Sequence, residues 1–246
     1  MRITRRERPV RRFERFVGAV LGAVAMCWLS PAAAAGGGAT LRGVITYKGP
    51  VPPPGPLEVD HDMECCAKSP ILPETLLVSK DGRVRDGVVW LEGVKGDKPW
   101  PAKPVALDQQ GCVFQPHVAV VGVGRPMDFL NSDPIIHNIH TWPRENEPMS
   151  VSQLAKGLGR PIKRTFTTPD EIKVSCDVHK WMSAWIIVRD NPYYAVTGPD
   201  GAYEITDIPP GTYTMVVWHE SLERIVRKVK FDAGTPRVEN VEMALK

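Results

Sequence analysis

The chain has 246 residues, 43% of them hydrophobic and 24% charged, the make-up of a globular protein able to pack a core in one large domain or two small ones. Its formal charge of +3 belongs to the start of the chain, because seven Arg and two Glu lie in residues 1–35 and their removal leaves −2. Nothing in the remaining charge favours nucleic acid as a partner.

Residues 1–35 combine an arginine-rich opening, an apolar run over 16–29 and the small-residue stretch S-P-A-A-A-A. This pattern predicts a secretory signal peptide cleaved near Ala35, hence a periplasmic or secreted protein. The apolar run is short against the ~20 residues a helix needs to cross a bilayer. No second such run follows, so the mature chain is expected to have no membrane span.

The 24 Pro and 21 Gly point to an all-β chain. T-L-R-G-V-I-T-Y-K-G (40–49) reads as a strand with Leu41, Val44 and Tyr47 turned inward. V-P-P-P-G-P (51–56) interrupts it. Residues 61–87 carry no clear pattern, and G-V-V-W-L-E-G-V (87–94) is a buried strand. From Cys112 onward, β-prone runs recur at 118–123, 126–131, 135–142, 161–166, 171–176 and 183–188, with turn residues between them. Short strands at this spacing predict a Greek-key sandwich over 112–190. The interruption at 144–158 offers room for a short helix. In residues 191–246, Y-A-V-T and A-Y-E-I-T flank G-P-D-G as a hairpin. I-P-P-G (208–211) makes another turn, and I-V-R-K-V-K-F alternates with Ile225, Val226, Val229 and Phe231 apolar. These strands are expected to form a second, small β-sandwich. Residues 36–111 are then an N-terminal β extension.

The chemistry concentrates in C-D-V-H-K-W-M, where Cys176, His179 and Met182 occupy a turn between two predicted strands. A tight loop with both ends held by strands can aim a thiolate, an imidazole and a thioether at one point. His137, in N-S-D-P-I-I-H-N-I-H, supplies a fourth donor. Two imidazoles, one thiolate and a weak axial thioether are the ligand set of a mononuclear blue copper site. A zinc set of His137, His140, Cys176 and His179 would leave Met182 unused, and structural zinc prefers more thiolates. Trp181, inside the loop, is a candidate docking surface for a redox partner, whereas Trp185 on the following strand is expected to pack the core.

In F-x-P (Phe114, Pro116), R-P-M-D-F-L-N, H-N-I-H and C-x2-H-x2-M, in this order, residues 112–189 resemble the cupredoxins, the amicyanin- and plastocyanin-like blue copper proteins. The resemblance implies an eight-stranded sandwich with His137 on one loop and Cys176, His179 and Met182 on another. It implies that Asn138 ties the two loops together by hydrogen bonds and that His140 is not a ligand. The aromatic-rich run usual before the cysteine is replaced here by P-D-E-I-K-V-S-C. His179 is expected to be the exposed electron port.

Of the mature cysteines, Cys65, Cys66 and Cys112 remain. A disulfide from Cys112 to either Cys65 or Cys66 is favoured by export. The alternative is a second metal cluster that adds His61 and His117. A-V-T-G-P-D-G-A-Y-E-I-T-D-I-P-P-G-T-Y (195–213) resembles the transthyretin-like regulatory domain found beside carboxypeptidases, which implies a stabilising or docking module. His219 is expected to be a half-buried strand histidine. The strands before residue 95 match the way that domain usually opens, so the copper domain can be an insertion within it. The reading is a non-enzymatic electron carrier with one mononuclear type 1 copper, serving a redox protein such as a c-type cytochrome or periplasmic oxidoreductase. The alternatives are a copper chaperone or storage protein, and a structural β-sandwich binding module.

Overall fold

The computed structural model describes residues 37–51 and 55–246; the signal peptide expected over 1–35 lies outside them. No helix among the described residues is long and apolar enough to cross a membrane. The described residues are almost all β, as the punctuation predicts. In order it forms β1 (Ala39–Tyr47), the one-turn helix α1 (Met63–Cys66), β2 (Val88–Glu92), β3 (Val105–Gln109), β4 (Phe114–Gln115) and β5 (Val118–Gly122). There follow β6 (Pro126–Asn131), β7 (His137–Trp142), β8 (Met149–Gln153), β9 (Ile162–Thr165), β10 (Asp170–Ser175) and β11 (Ser183–Arg189). The last six are β12 (Tyr194–Val196), β13 (Ala202–Ile208), β14 (Gly211–Trp218), β15 (Ile225–Phe231), β16 (Pro236–Val238) and β17 (Val241–Met243).

Four sheets result. One sandwich pairs the sheet β5-β11-β10-β7-β8 with β4-β3-β6-β9, closing over a core that includes Leu107, Phe114, Phe129, Ile139, Ile172 and Ile186. The other pairs β13-β1-β16, with β17 also on β1, against β12-β2-β14-β15, over Leu41, Ile45, Leu91, Tyr193, Val217 and Phe231. β3 lies ahead of Cys112, so pairing in the first sandwich starts at Val105. β1 and β2 enter the sheets of the C-terminal strands.

Several sequence expectations change on contact with this topology. Y-A-V-T and A-Y-E-I-T do not pair as a hairpin. β12 bonds to β2 while β13 bonds to β1, so G-P-D-G carries the chain from one sheet to the other. The inward face of β1 is Ala39, Leu41, Gly43, Ile45 and Tyr47, with Val44 only half-buried. A strand alternates with period two, and the 41–44–47 spacing broke that rule. Gly43 is required because a Cβ there would sit 1.9 Å from the Glu239 carbonyl oxygen. No helix forms at 144–158. M-S-V-S-Q becomes edge strand β8 instead, bonded to β7, since the ladder supplies backbone partners that a helix bounded by Pro148 and Gly157 cannot.

The two sandwiches share a third apolar cluster of Val88, Trp90, Val118, Val120, Ile187, Val216 and Trp218. Strands β2, β5, β11 and β14 are therefore buried on both faces, which is why they read as continuous apolar runs. Trp185 packs in this joint edge-on to Trp218, with ring centroids 5.2 Å apart, and donates its indole N–H to Glu220 (2.9 Å). Glu220 also holds Nε2 of the buried His117.

His219, just past β14, is 1% exposed rather than half-buried. Burial drives its pKa down from 6.5 to about 4, against the weaker attraction of Glu220; His117 and Lys246 push the same way as burial. Above pH 6.5 the ring is neutral whether the chain is folded or not. Below it only the unfolded chain takes up the proton, so stability falls until about pH 4, by about 3 kcal/mol for this one group. Urea denaturation at pH 7 and pH 4.5 should show His219→Gln losing less stability on acidification than the parent. Equal losses would contradict it.

Candidate metal centre

β10 runs antiparallel to β7 with Ser175 opposite His140. This register delivers Cys176, the next residue, beside the start of β7, where His137 and Asn138 sit. The loop after Cys176 folds back on itself. The Met182 N–H donates to the His179 carbonyl (2.9 Å), and the Cys176 N–H points to the Met182 carbonyl (3.4 Å). Cys176, His179 and Met182 thus share one end of the sandwich, and β7 adds His137.

The result is a buried cluster. Cys176 Sγ and one ring nitrogen each of His137 and His179 lie within 4.8 Å of one another. Both imidazoles are 0% exposed, and Cys176 is 2% exposed. Met182 is buried in the same core cluster as Cys176. The Nδ1 atoms of His137 and His179 face each other at 2.9 Å, and His179 Nδ1 lies 3.7 Å from Cys176 Sγ.

What turns the Nδ1 atoms inward is a carboxylate on the far side of each ring. His137 Nε2 bonds to Asp133 Oδ2 and His179 Nε2 to Asp62 Oδ2, both at 2.9 Å. A carboxylate accepts, so each Nε2 carries a proton and each Nδ1 is turned to the interior, where it can give a lone pair to a cation that takes the place of any proton there. Asp133 is itself held by the backbone N–H groups of Gly111 (2.7 Å) and Cys112 (2.8 Å). Burial raises its pKa, but these bonds and His137 outweigh burial and keep it below the usual carboxylate value.

The sulfur is prepared as an anion. It accepts N–H bonds from Asn138 (3.3 Å) and His179 (3.4 Å). Burial opposes ionisation, yet the bond to His137 and the backbone donors prevail, and the thiol pKa falls from 9.0 to about 6. Burial would likewise depress His137, but Asp133 and Cys176 raise it. Two ring nitrogens and a sulfur converge in this buried pocket, where a proton or a cation between them offsets their mutual repulsion. The donor chemistry fits a soft or borderline cation.

Asn138 joins the two loops, with its N–H on Cys176 Sγ and its Oδ1 accepting the Asp177 N–H at 3.4 Å. His140 is not part of the cluster. Three residues after His137, it lies on the other face of β7, where it pairs with Asp177 (2.8 Å) and stacks on Trp142. The zinc set built on His140 is therefore not assembled. His179 is sealed beneath Asp62, so it is not an exposed port. Trp181 is half-buried; its ring lies 5.0 Å from that of His179, and its N–H donates to the Cys112 carbonyl (3.0 Å).

Among the described residues a disulfide joins Cys66 to Cys112, leaving Cys65 and Cys176 as free thiols. His61 pairs with Asp60 at the surface and His117 with Glu220 in the joint, so neither joins the cysteines. Asp133 and Asp62 were missed from the sequence. Asp133 had a signal, four residues ahead of His137 in a turn. Asp62, 117 residues from His179, had none.

No protein-family model matches the sequence, and no curated protein does either. Solved structures do resemble parts of it. A Cu-containing nitrite reductase from Thermus scotoductus SA-01 is 25% identical with a TM-score of 0.33, over 39% of this chain and 25% of that one. A purple cupredoxin from Nitrosopumilus maritimus is 15% identical with a TM-score of 0.29, over 35% of this chain and 99% of that one. Amicyanin from Paracoccus versutus is 16% identical with a TM-score of 0.30, over 43% of this chain and 100% of that one. The matched part thus spans only a quarter of the nitrite reductase's length. At these TM-scores, the chemistry has to come from this chain's own side chains.

Proposed function

We propose that this is an exported type 1 copper protein that carries single electrons between redox partners. The observation that carries the reading is the buried convergence of Cys176 Sγ with the inward nitrogens of His137 and His179. Met182, on the same loop and equally buried, would add the weak axial thioether that completes the blue copper donor set. Copper, when bound, would supply a one-electron couple. The chain's part is to hold the donors still. Two strands set the positions of His137 and Cys176, two carboxylates lock the imidazoles, and two backbone N–H groups fix the sulfur. Donors that do not move between oxidation states keep the reorganisation that accompanies electron transfer small.

With His179 buried, Trp181 is the half-exposed group beside it and is our candidate point of approach for a partner, of the class of a c-type cytochrome or periplasmic oxidoreductase. The signal-peptide reading would place both in an exported compartment. The C-terminal sandwich, through its transthyretin-like motif, would serve as a stabilising or docking module, and no bond-making chemistry is assigned to the chain.

One observation favours a copper chaperone or storage role instead: both imidazoles are fully buried, so neither offers an edge to an electron partner. Voltammetry of the copper-loaded protein separates the two. A reversible one-electron wave is expected for the carrier. Tight Cu(I) binding with no reversible wave would overturn the carrier in favour of storage.

A further inference from the structure

Outside the centre just described, three more sulfur atoms come together. Cys65 Sγ lies 3.9 Å from Cys112 Sγ, Cys66 is bonded to Cys112, and all three sulfurs fall within 4.8 Å of one another. Neighbours 65 and 66 reach the same partner because α1 is a single tight turn. The N–H groups of both bond to the Asp62 carbonyl, at 2.8 and 2.9 Å. Opposite them, Asp133 holds the backbone of Gly111 and Cys112. The Cys65 thiol is only half-buried and lines surface hollows with Lys68 and Pro134.

A disulfide needs two cysteines, so the third sulfur is unexplained by bridging. Thiol–disulfide exchange within the trio would need Cys65 on the extension of the existing S–S bond. Sulfurs that are all within reach of one another form a triangle instead. A triangle of thiolates is a donor set for a soft monovalent cation: thiolate sulfur selects Cu(I), for which three donors suffice, whereas structural zinc takes four.

We propose that Cys65, Cys66 and Cys112 form a second metal site, which binds one Cu(I) through three thiolates once the Cys66–Cys112 bond is reduced. A dithiol reductant supplies two electrons and two protons, opening that bond to two thiols and closing into a disulfide itself. Cu(I) then displaces the protons of the three thiols and keeps its oxidation state. The site adjoins the first centre, since Cys112, Asp133 and His137 also place donor atoms within 4.8 Å of one another. It uses none of that centre's proposed ligands, so it stands or falls separately.

The test is a Cu(I) titration of the full chain against the chromogenic chelator bicinchoninate, before and after reduction by a phosphine and removal of the excess. Wild type and Cys176→Ser, in which the first centre lacks its thiolate, should each hold one more Cu(I) per chain after reduction. X-ray absorption of the reduced Cys176→Ser protein should show three sulfur neighbours. Cys65→Ser keeps the disulfide pair intact and should lose the gain. No gain on reduction, whether the reduced chain stays folded or not, would overturn the proposal. So would an equal gain in Cys65→Ser, or uptake of Zn(II) without Cu(I).

Discussion

Replacing Cys66 and Cys112 together by alanine should lower the free energy of unfolding by about 4 kcal/mol. The bond joins residues 46 apart, and tethering the unfolded chain over a loop of that length removes about 4 kcal/mol worth of its entropy. The effect reaches beyond stability because α1 and Asp62 hang on this bond. Asp62 lies in the left-handed region, with φ of 48°, four residues ahead of Cys66, and it holds the outer nitrogen of His179. The same variant should therefore bind copper more weakly, as loss of a carboxylate behind a ligating imidazole costs roughly 10–100-fold in affinity. Urea denaturation gives the first quantity and chelator competition the second. An unchanged denaturation midpoint would contradict the account of how the N-terminal segment is pinned.

Trp90→Ala should cost about 3–5 kcal/mol, the usual range for truncating a buried large aromatic. Trp90 is 2% exposed in the apolar joint between the sandwiches. The guanidinium of Arg189 lies 4.3 Å above its ring, and that of Arg224 lies 5.7 Å away. Glu171 holds both arginines, so the ring is enclosed by a charged clamp, and the cation–π contacts add to its burial. Trp90 comes from β2, while Arg189 and Glu171 come from β11 and β10. Its loss should weaken the hold of one sandwich on the other. A cost below 1 kcal/mol in the same urea assay would mean that this face does not join them.

How much of this was legible in the sequence depends on how far apart the interacting residues lie. C-x2-H-x2-M is local, so the loop could be read directly, and His137 followed from its place at the start of a strand. Strands buried on both faces announced themselves, V-V-W-L-E above all. Individual pairings across the chain could not be read, although the transthyretin-like resemblance had offered the strands before residue 95 as part of the C-terminal sandwich, whose sheets they join. β12 and β13 looked like partners because a good turn joins them, but β12 ladders on β2 and β13 on β1. The edge strand β8 carries exposed Ser150, Val151 and Ser152 and so lacked a clean period-two signal; only its bonds to β7 make it a strand. The choice between Cys65 and Cys66 for the bridge was invisible for the same reason, since neighbouring residues differ only in which way a single helical turn points them. Asp62 and the burial of His179 depend on a segment that had no pattern of its own.

The proposed function stands on a type 1 copper centre at Cys176, His137 and His179. The most direct measurement is the absorption and paramagnetic-resonance spectrum of the Cu(II)-loaded protein, taken for the parent and for Cys176→Ser. A strong visible thiolate-to-copper band is expected in the parent and none in Cys176→Ser. A parent spectrum without that band, or a band that survives loss of the Cys176 sulfur, would contradict it.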